Sequence, residues 1–125
     1  MTFEKYLHIV DNLLARHWAI TENQVTATIS TPKFGKINGK VILLDGSYID
    51  FSEEILIVDK LVTKLRYRYE YVKDKNEVFR YDNFARHHGI RQPFHHKHVS
   101  KRRAIQVKEA PKLIDVIEEA LRYMF

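Results

Sequence analysis

The strongest constraint on this chain is the alternation between Leu61 and Val72. Leu61, Leu65, Tyr67, Tyr69 and Tyr71 fall on one side of an extended backbone, and Lys64, Arg66, Arg68 and Glu70 on the other. A helix cannot separate residues that way, whereas a half-buried antiparallel strand must. Lys73-Asp74-Lys75-Asn76 then reads as a polar turn, and Val78-Phe79-Arg80-Tyr81 as the returning strand. The same period governs residues 25 to 30, where Val25, Ala27 and Ile29 alternate with Thr26, Thr28 and Ser30 until Pro32 and Gly35 intervene. Between Lys40–Leu44 and Ser47–Phe51, Asp45-Gly46 is a hairpin signal, because glycine supplies the positive φ of a tight turn. Ser52-Glu53-Glu54 is expected to break the strand before Ile55–Val58, a piece that periodicity leaves open between strand and helical turn.

The ends have a different period. Phe3, Leu7, Val10 and Leu14, with Tyr6, Ile9 and Leu13 beside them, predict an amphipathic helix over 3–19 behind a Thr2 N-cap. Leu113, Ile117, Ala120, Leu121 and Met124 predict a second over 112–124, started by Pro111. Residues 83 to 111 show no sustained period and read as a long connection, a kind of segment that is usually functional or disordered. The expected fold is therefore α+β: an antiparallel sheet of about five to six strands flanked by an N-terminal and a C-terminal helix. A length of 125 residues predicts one domain, 1–125, and a 45% hydrophobic, 12% aromatic composition supplies its core. No run is apolar enough to span a membrane and the first residues lack the order of a signal peptide, so a cytoplasmic location is expected. The absence of cysteine fits a reducing compartment and excludes thiolate ligands and nucleophiles.

Charge is concentrated in one window. Of the net +5, residues 80–103 carry +6, from Arg80, Arg86, Arg91, Lys97, Lys101, Arg102 and Arg103 against Asp82 alone. Five of the seven histidines, His87, His88, His95, His96 and His98, lie there too. Such a local excess predicts a polyanionic partner, most often nucleic acid, with a solvated basic loop as the plain alternative. His8 and His17 lie in the first helix and are expected at its surface or core edge.

Three readings of the window stand. In the first, it cleaves RNA without a metal: a neutral imidazole takes the 2′-hydroxyl proton, a protonated one donates to the 5′-oxygen, and a cation stabilises the phosphorane. In extended chain His96 and His98 share a side, with His95 and Lys97 opposite, whereas a helical turn would bring His95 and His98 together; His96 and His98 lead as the acid-base pair. His88, His87 and His95 are alternates, and Lys97 and Arg80 would stabilise charge. Arg66, Arg68, Arg86, Arg91, Lys101, Arg102 and Arg103 would hold phosphates, and Tyr81, Phe84 or Phe94 would stack on a base. In the second, three or four of the histidines, with or without Asp82, hold zinc or another transition metal, against which the surrounding cations argue. In the third, the window only binds nucleic acid, a ribosomal site or an acidic partner. Phosphate-cradling glycine loops, a Gly-x-Ser-x-Gly elbow and His-Glu-x-x-His are missing from the sequence.

The hairpin DGSYIDFSEE (45–54), the strand LRYRYEY (65–71), the element FRYDN (79–83) and the closing HHKH (95–98) resemble the TumE-like toxins of prokaryotic toxin-antitoxin pairs over about residues 37–100. That family tends to place a proline directly before each histidine pair, where this chain has Arg86 and Phe94. The resemblance implies an intracellular growth inhibitor whose cognate antitoxin binds and neutralises it. RNA as the target comes from the histidine and cation cluster and from the habit of such toxins, which is analogy. An acidic antitoxin covering the basic window would neutralise its charge and exclude RNA together.

Overall fold

A computed structural model describes residues 1–84, 95–100 and 104–124. Helix α1 (Phe3–Arg16) is followed by strands β1 (Ile20–Thr31), β2 (Phe34–Leu43), β3 (Tyr48–Val58), β4 (Leu61–Lys73), β5 (Asn76–Asp82), β6 (His96–Val99) and β7 (Ile105–Gln106), and α2 (Leu113–Leu121) closes the chain. The strands form one antiparallel meander in the order β1 to β7, each paired with its sequence neighbour. This is the α+β architecture that the alternation requires. Among the described residues the sheet has seven strands where the sequence suggests five to six, because β6 and β7 form inside the stretch that reads as a connection. They are too short for periodicity to register.

Thr2 caps α1 as expected, its hydroxyl accepting from the Lys5 amide at 3.2 Å. The helix stops at Arg16, short of residue 19. Both helices cover the same face of the sheet. Phe3, Val10 and Leu14 of α1 and Leu113, Val116, Ile117 and Ala120 of α2 join one core with Ile37, Val41, Ile49, Phe51, Ile55, Tyr67, Tyr69, Tyr71 and Phe79. The polar alternates of the strands form the opposite, open face.

Turn chemistry sets the register. Gly46 takes φ 85°, and Asp74 and Lys75, with φ 52° and 65°, make the two-residue turn between β4 and β5. Gly35, which reads as part of a turn, lies inside β2 opposite Ile55, and its role is spatial. A β-carbon there would stand 2.4 Å from the ring of Phe3, which is fully buried and cannot retreat. Gly35→Ala is expected to cost about 1–3 kcal/mol through overpacking, read as a lowered thermal midpoint. An unchanged midpoint would show that α1 does not seat on β2 through Phe3.

Two expectations fail locally. Ser52-Glu53-Glu54 does not break a strand: β3 runs through, and Glu53 alternates into the core. Lys64 is not on the open face. The β3–β4 pairing slips between Glu54↔Arg66 and Ile55↔Lys64, leaving Leu65 as the extra residue of a bulge. A one-residue slip exchanges faces, so Lys64 turns to the helices and Leu65 outward, 46% exposed. Asn83 closes the bulge, accepting from the Tyr67 amide at 2.9 Å and donating to the Leu65 carbonyl at 3.0 Å.

Candidate functional site

Antiparallel pairing puts directly opposed residues on the same face. On the open side this aligns two rows across four strands: Asp50, Glu70, Arg80 and His98, and beside it Ser52, Arg68, Asp82 and His96. The i, i+2 spacing of Arg80 and Asp82 on β5 thus meets the i, i+2 spacing of His96 and His98 on β6.

Asp82 is the centre. It is 2% exposed, and Arg80 Nε donates to its Oδ2 at 2.9 Å while the Phe84 amide donates to Oδ1 at 3.1 Å. His98 Nε2 lies 3.5 Å from Oδ2 and His96 Nδ1 4.0 Å from Oδ1. The two imidazole rings are 6.2 Å apart, centre to centre. Arg80 is braced from the other side by Glu77, to which Nη1 donates at 3.0 Å. Burial, then the neighbouring Arg80 charge, holds the His98 pKa below the usual imidazole value, and Asp82 opposes that shift. His98 is therefore neutral, and able to accept a proton, over more of the pH range than a free imidazole. Among the described residues, no grouping of three His, Asp or Glu side chains is arranged to hold a metal ion.

The other sequence candidates divide. Arg68 and Arg66 are on the same open face, Arg68 paired with Glu70 at 3.2 Å and Arg66 stacked over Phe84 at 4.0 Å. Lys97 and Tyr81, opposite each other on β6 and β5, face the helices. Lys97 reaches Glu119 of α2 at 2.6 Å, and the Tyr81 hydroxyl donates to the same carboxylate at 2.6 Å, so both tie the sheet to α2 and neither meets His96 and His98. His95 is also on the helix side, stacked on Tyr67 and sharing a 2.9 Å hydrogen bond with its hydroxyl. His87, His88, Arg86, Arg91, Phe94, Lys101, Arg102 and Arg103 lie outside the described residues. What the sequence reading lacks is the role of Asp82 as the carboxylate under both imidazoles, legible only once FRYDN and HKHV are recognised as paired strands.

A second polar cluster sits under the helices. Glu53 accepts from the Tyr6 hydroxyl at 2.6 Å and from the Tyr69 hydroxyl, and Lys64 Nζ stands 3.4 Å from it while donating to Tyr69 and, at 2.7 Å, to the Pro111 carbonyl. It borders a cavity of about 600 Å³ between α1 and α2, lined mostly by apolar side chains such as Ile9, Leu13, Val62 and Leu113. The cluster is internally satisfied: Lys64 donates to two oxygens and is ion-paired with Glu53. It is a buried brace, whereas the group on the open face leaves part of both imidazoles exposed, 15% for His96 and 26% for His98.

Comparison with known proteins gives one assignment. A family model described as Toxin TumE matches residues 9–124. No curated protein and no solved structure matches the chain. The match spans α1 from Ile9, all seven strands and α2, and so takes in both the open-face site and the elements that position it. The chain belongs to the TumE toxin family.

Proposed function

We propose that this toxin cleaves RNA without a metal, by acid-base catalysis on the open face of the sheet, and that a cognate antitoxin neutralises it. The observation that carries the reading is the buried Asp82 carboxylate with His98, His96 and Arg80 gathered on it. One carboxylate beside two imidazoles supports a positive charge on either, which is what a reaction needing one base and one acid requires.

His98 is the base, because burial and Arg80 favour its neutral form. It takes the 2′-hydroxyl proton, the oxygen attacks phosphorus, and the P–O5′ bond breaks as His96 donates a proton to the leaving oxygen. The products are a 2′,3′-cyclic phosphate and a 5′-hydroxyl, with the proton gained by His98 balancing that lost by His96. Arg80 uses one N–H on Asp82 and one on Glu77, leaving donors for the phosphate oxygens as negative charge builds. Arg66 stacked on Phe84 and Arg68 extend the same face and would position the strand.

The test is incubation of the purified chain with total RNA, with and without EDTA. Cleavage that survives EDTA and leaves cyclic phosphate ends is expected. Loss in EDTA would move the reaction to a metal, and no cleavage by protein that still arrests growth would make this a toxin that acts by binding alone.

A further inference from the structure

Strand β1 is a sheet edge of unusual character. It is twelve residues long, lies at the end of the strand order, and is exposed along nearly its whole length. Outside its ladder to β2, no backbone group of residues 22–31 is hydrogen-bonded among the described residues. Natural edges are blunted by lysine, proline or inward charge. Here the only charged residue is Glu22, and from Asn23 to Thr31 the sequence NQVTATIST is uncharged and rich in β-branched residues.

We propose that β1 is a self-association surface, on which two copies of the chain pair antiparallel about a two-fold axis at Ala27 to form one continuous sheet. Antiparallel pairing of identical edges requires an axis perpendicular to the sheet, so opposed residues must share a face and the axis must pass through a residue. Val25, Ala27 and Ile29 lie on the helix face, opposite Gly39, Ile37 and Gly35 of β2. An axis at Ala27 sets Val25 against Ile29 of the second copy and Ala27 against itself, and on the open face sets Thr26 against Thr28. Val25, Ala27 and Ile29 then each meet an apolar residue, and Thr26 meets Thr28, both favourable cross-strand pairs. Moving the axis to Thr26 sets Ile29 against Asn23, and moving it to Thr28 carries Val25 past Ile29, where the β1–β2 register slips before Thr31 and no apolar residue follows in β1. The pairing also covers Ile29, which is 52% exposed in the single chain. Elsewhere the copies carry +5 each and repel, whereas this edge brings no like charges face to face between Asn23 and Thr31. The inference concerns assembly and is independent of the RNA reading.

The chain contains no cysteine, which makes a clean test available. Protein made by cell-free synthesis should sediment at micromolar concentration with twice the 14.9 kDa chain mass. In Ala27→Cys the two thiols face each other across the axis with Cα atoms roughly 4.5–5.5 Å apart, inside disulfide range, so mild oxidation should give a covalent dimer. In Ser30→Cys the two thiols are six residues out of register, about 20 Å apart, and should not link. Thermal midpoints of both reduced variants near that of the parent show that the fold is intact. A monomer at these concentrations would overturn the proposal and leave the edge to another protein's extended segment. A dimer that fails to link at Ala27→Cys, or links equally at Ser30→Cys, would overturn it too.

Discussion

His98→Ala is expected to lower the rate of RNA cleavage by on the order of 10²-fold or more while leaving the fold intact. The side chain is 26% exposed and is not part of the core, so the loss would report lost proton transfer and not unfolding. The pH profile gives a second, independent readout. A base must be neutral to act, so the rising limb of the rate should follow His98 and lie below the usual imidazole value of about 6.5, because burial and Arg80 disfavour its cation. Asp82 pulls the other way. Asp82→Asn removes the charge that stabilises the imidazolium, so the limb should move to still lower pH as the rate falls. Full cleavage by His98→Ala, or a limb unmoved by Asp82→Asn, would remove His98 from the reaction. His96→Ala would then identify whether the neighbouring ring acts alone.

The largest effect on stability is expected on the opposite face. Lys64→Met strips the buried Glu53 carboxylate of its cation, with side chains only 11% and 0% exposed, respectively. Breaking one half of a buried pair leaves an uncompensated charge and costs about 3–5 kcal/mol. For a chain of this size that is a fall in the thermal midpoint on the order of 10–20 °C. Burial already presses the Lys64 pKa down, opposed by Glu53, which is the same competition seen from the lysine. Adding Glu53→Gln should restore most of the loss. The amide carries no charge yet can still bond the Tyr6 and Tyr69 hydroxyls. A Lys64→Met variant within about 1 kcal/mol of the parent would mean that the Tyr6 and Tyr69 hydroxyls hold Glu53 without the lysine.

These two sites bear differently on what could be read in advance. The alternation of Tyr67, Tyr69 and Tyr71 with Arg66, Arg68 and Glu70 is local, and so are the Asp45-Gly46 turn and the stripes of both helices, so the α+β class and most element positions are legible from single stretches of sequence. The sharing of a side by His96 and His98, with His95 and Lys97 opposite, is likewise a consequence of extended geometry alone, and the strand bears it out. Even the family is visible in a few short signatures.

Contacts made across the sheet are not legible in that way. The bulge at Leu65 reverses Lys64 because pairing with β3, and not the chemistry of β4 itself, sets the register there. Glu53 looks like a strand breaker because its cost is visible in sequence, while the hydroxyls of Tyr6 and Tyr69 and the amine of Lys64 that offset it come from three other places in the chain. Lys97 and Tyr81 sit among the cations and aromatics of the basic window, yet both are tied to Glu119 of α2, a partner that neither strand reveals. The sequence by itself determined the period of each element, and hence the fold class and the candidate histidines. The tertiary structure alone decided where the alternation slips, which partner each side chain meets and that Asp82 joins His96 and His98, because register and burial are properties of pairs of strands and are written in neither strand alone.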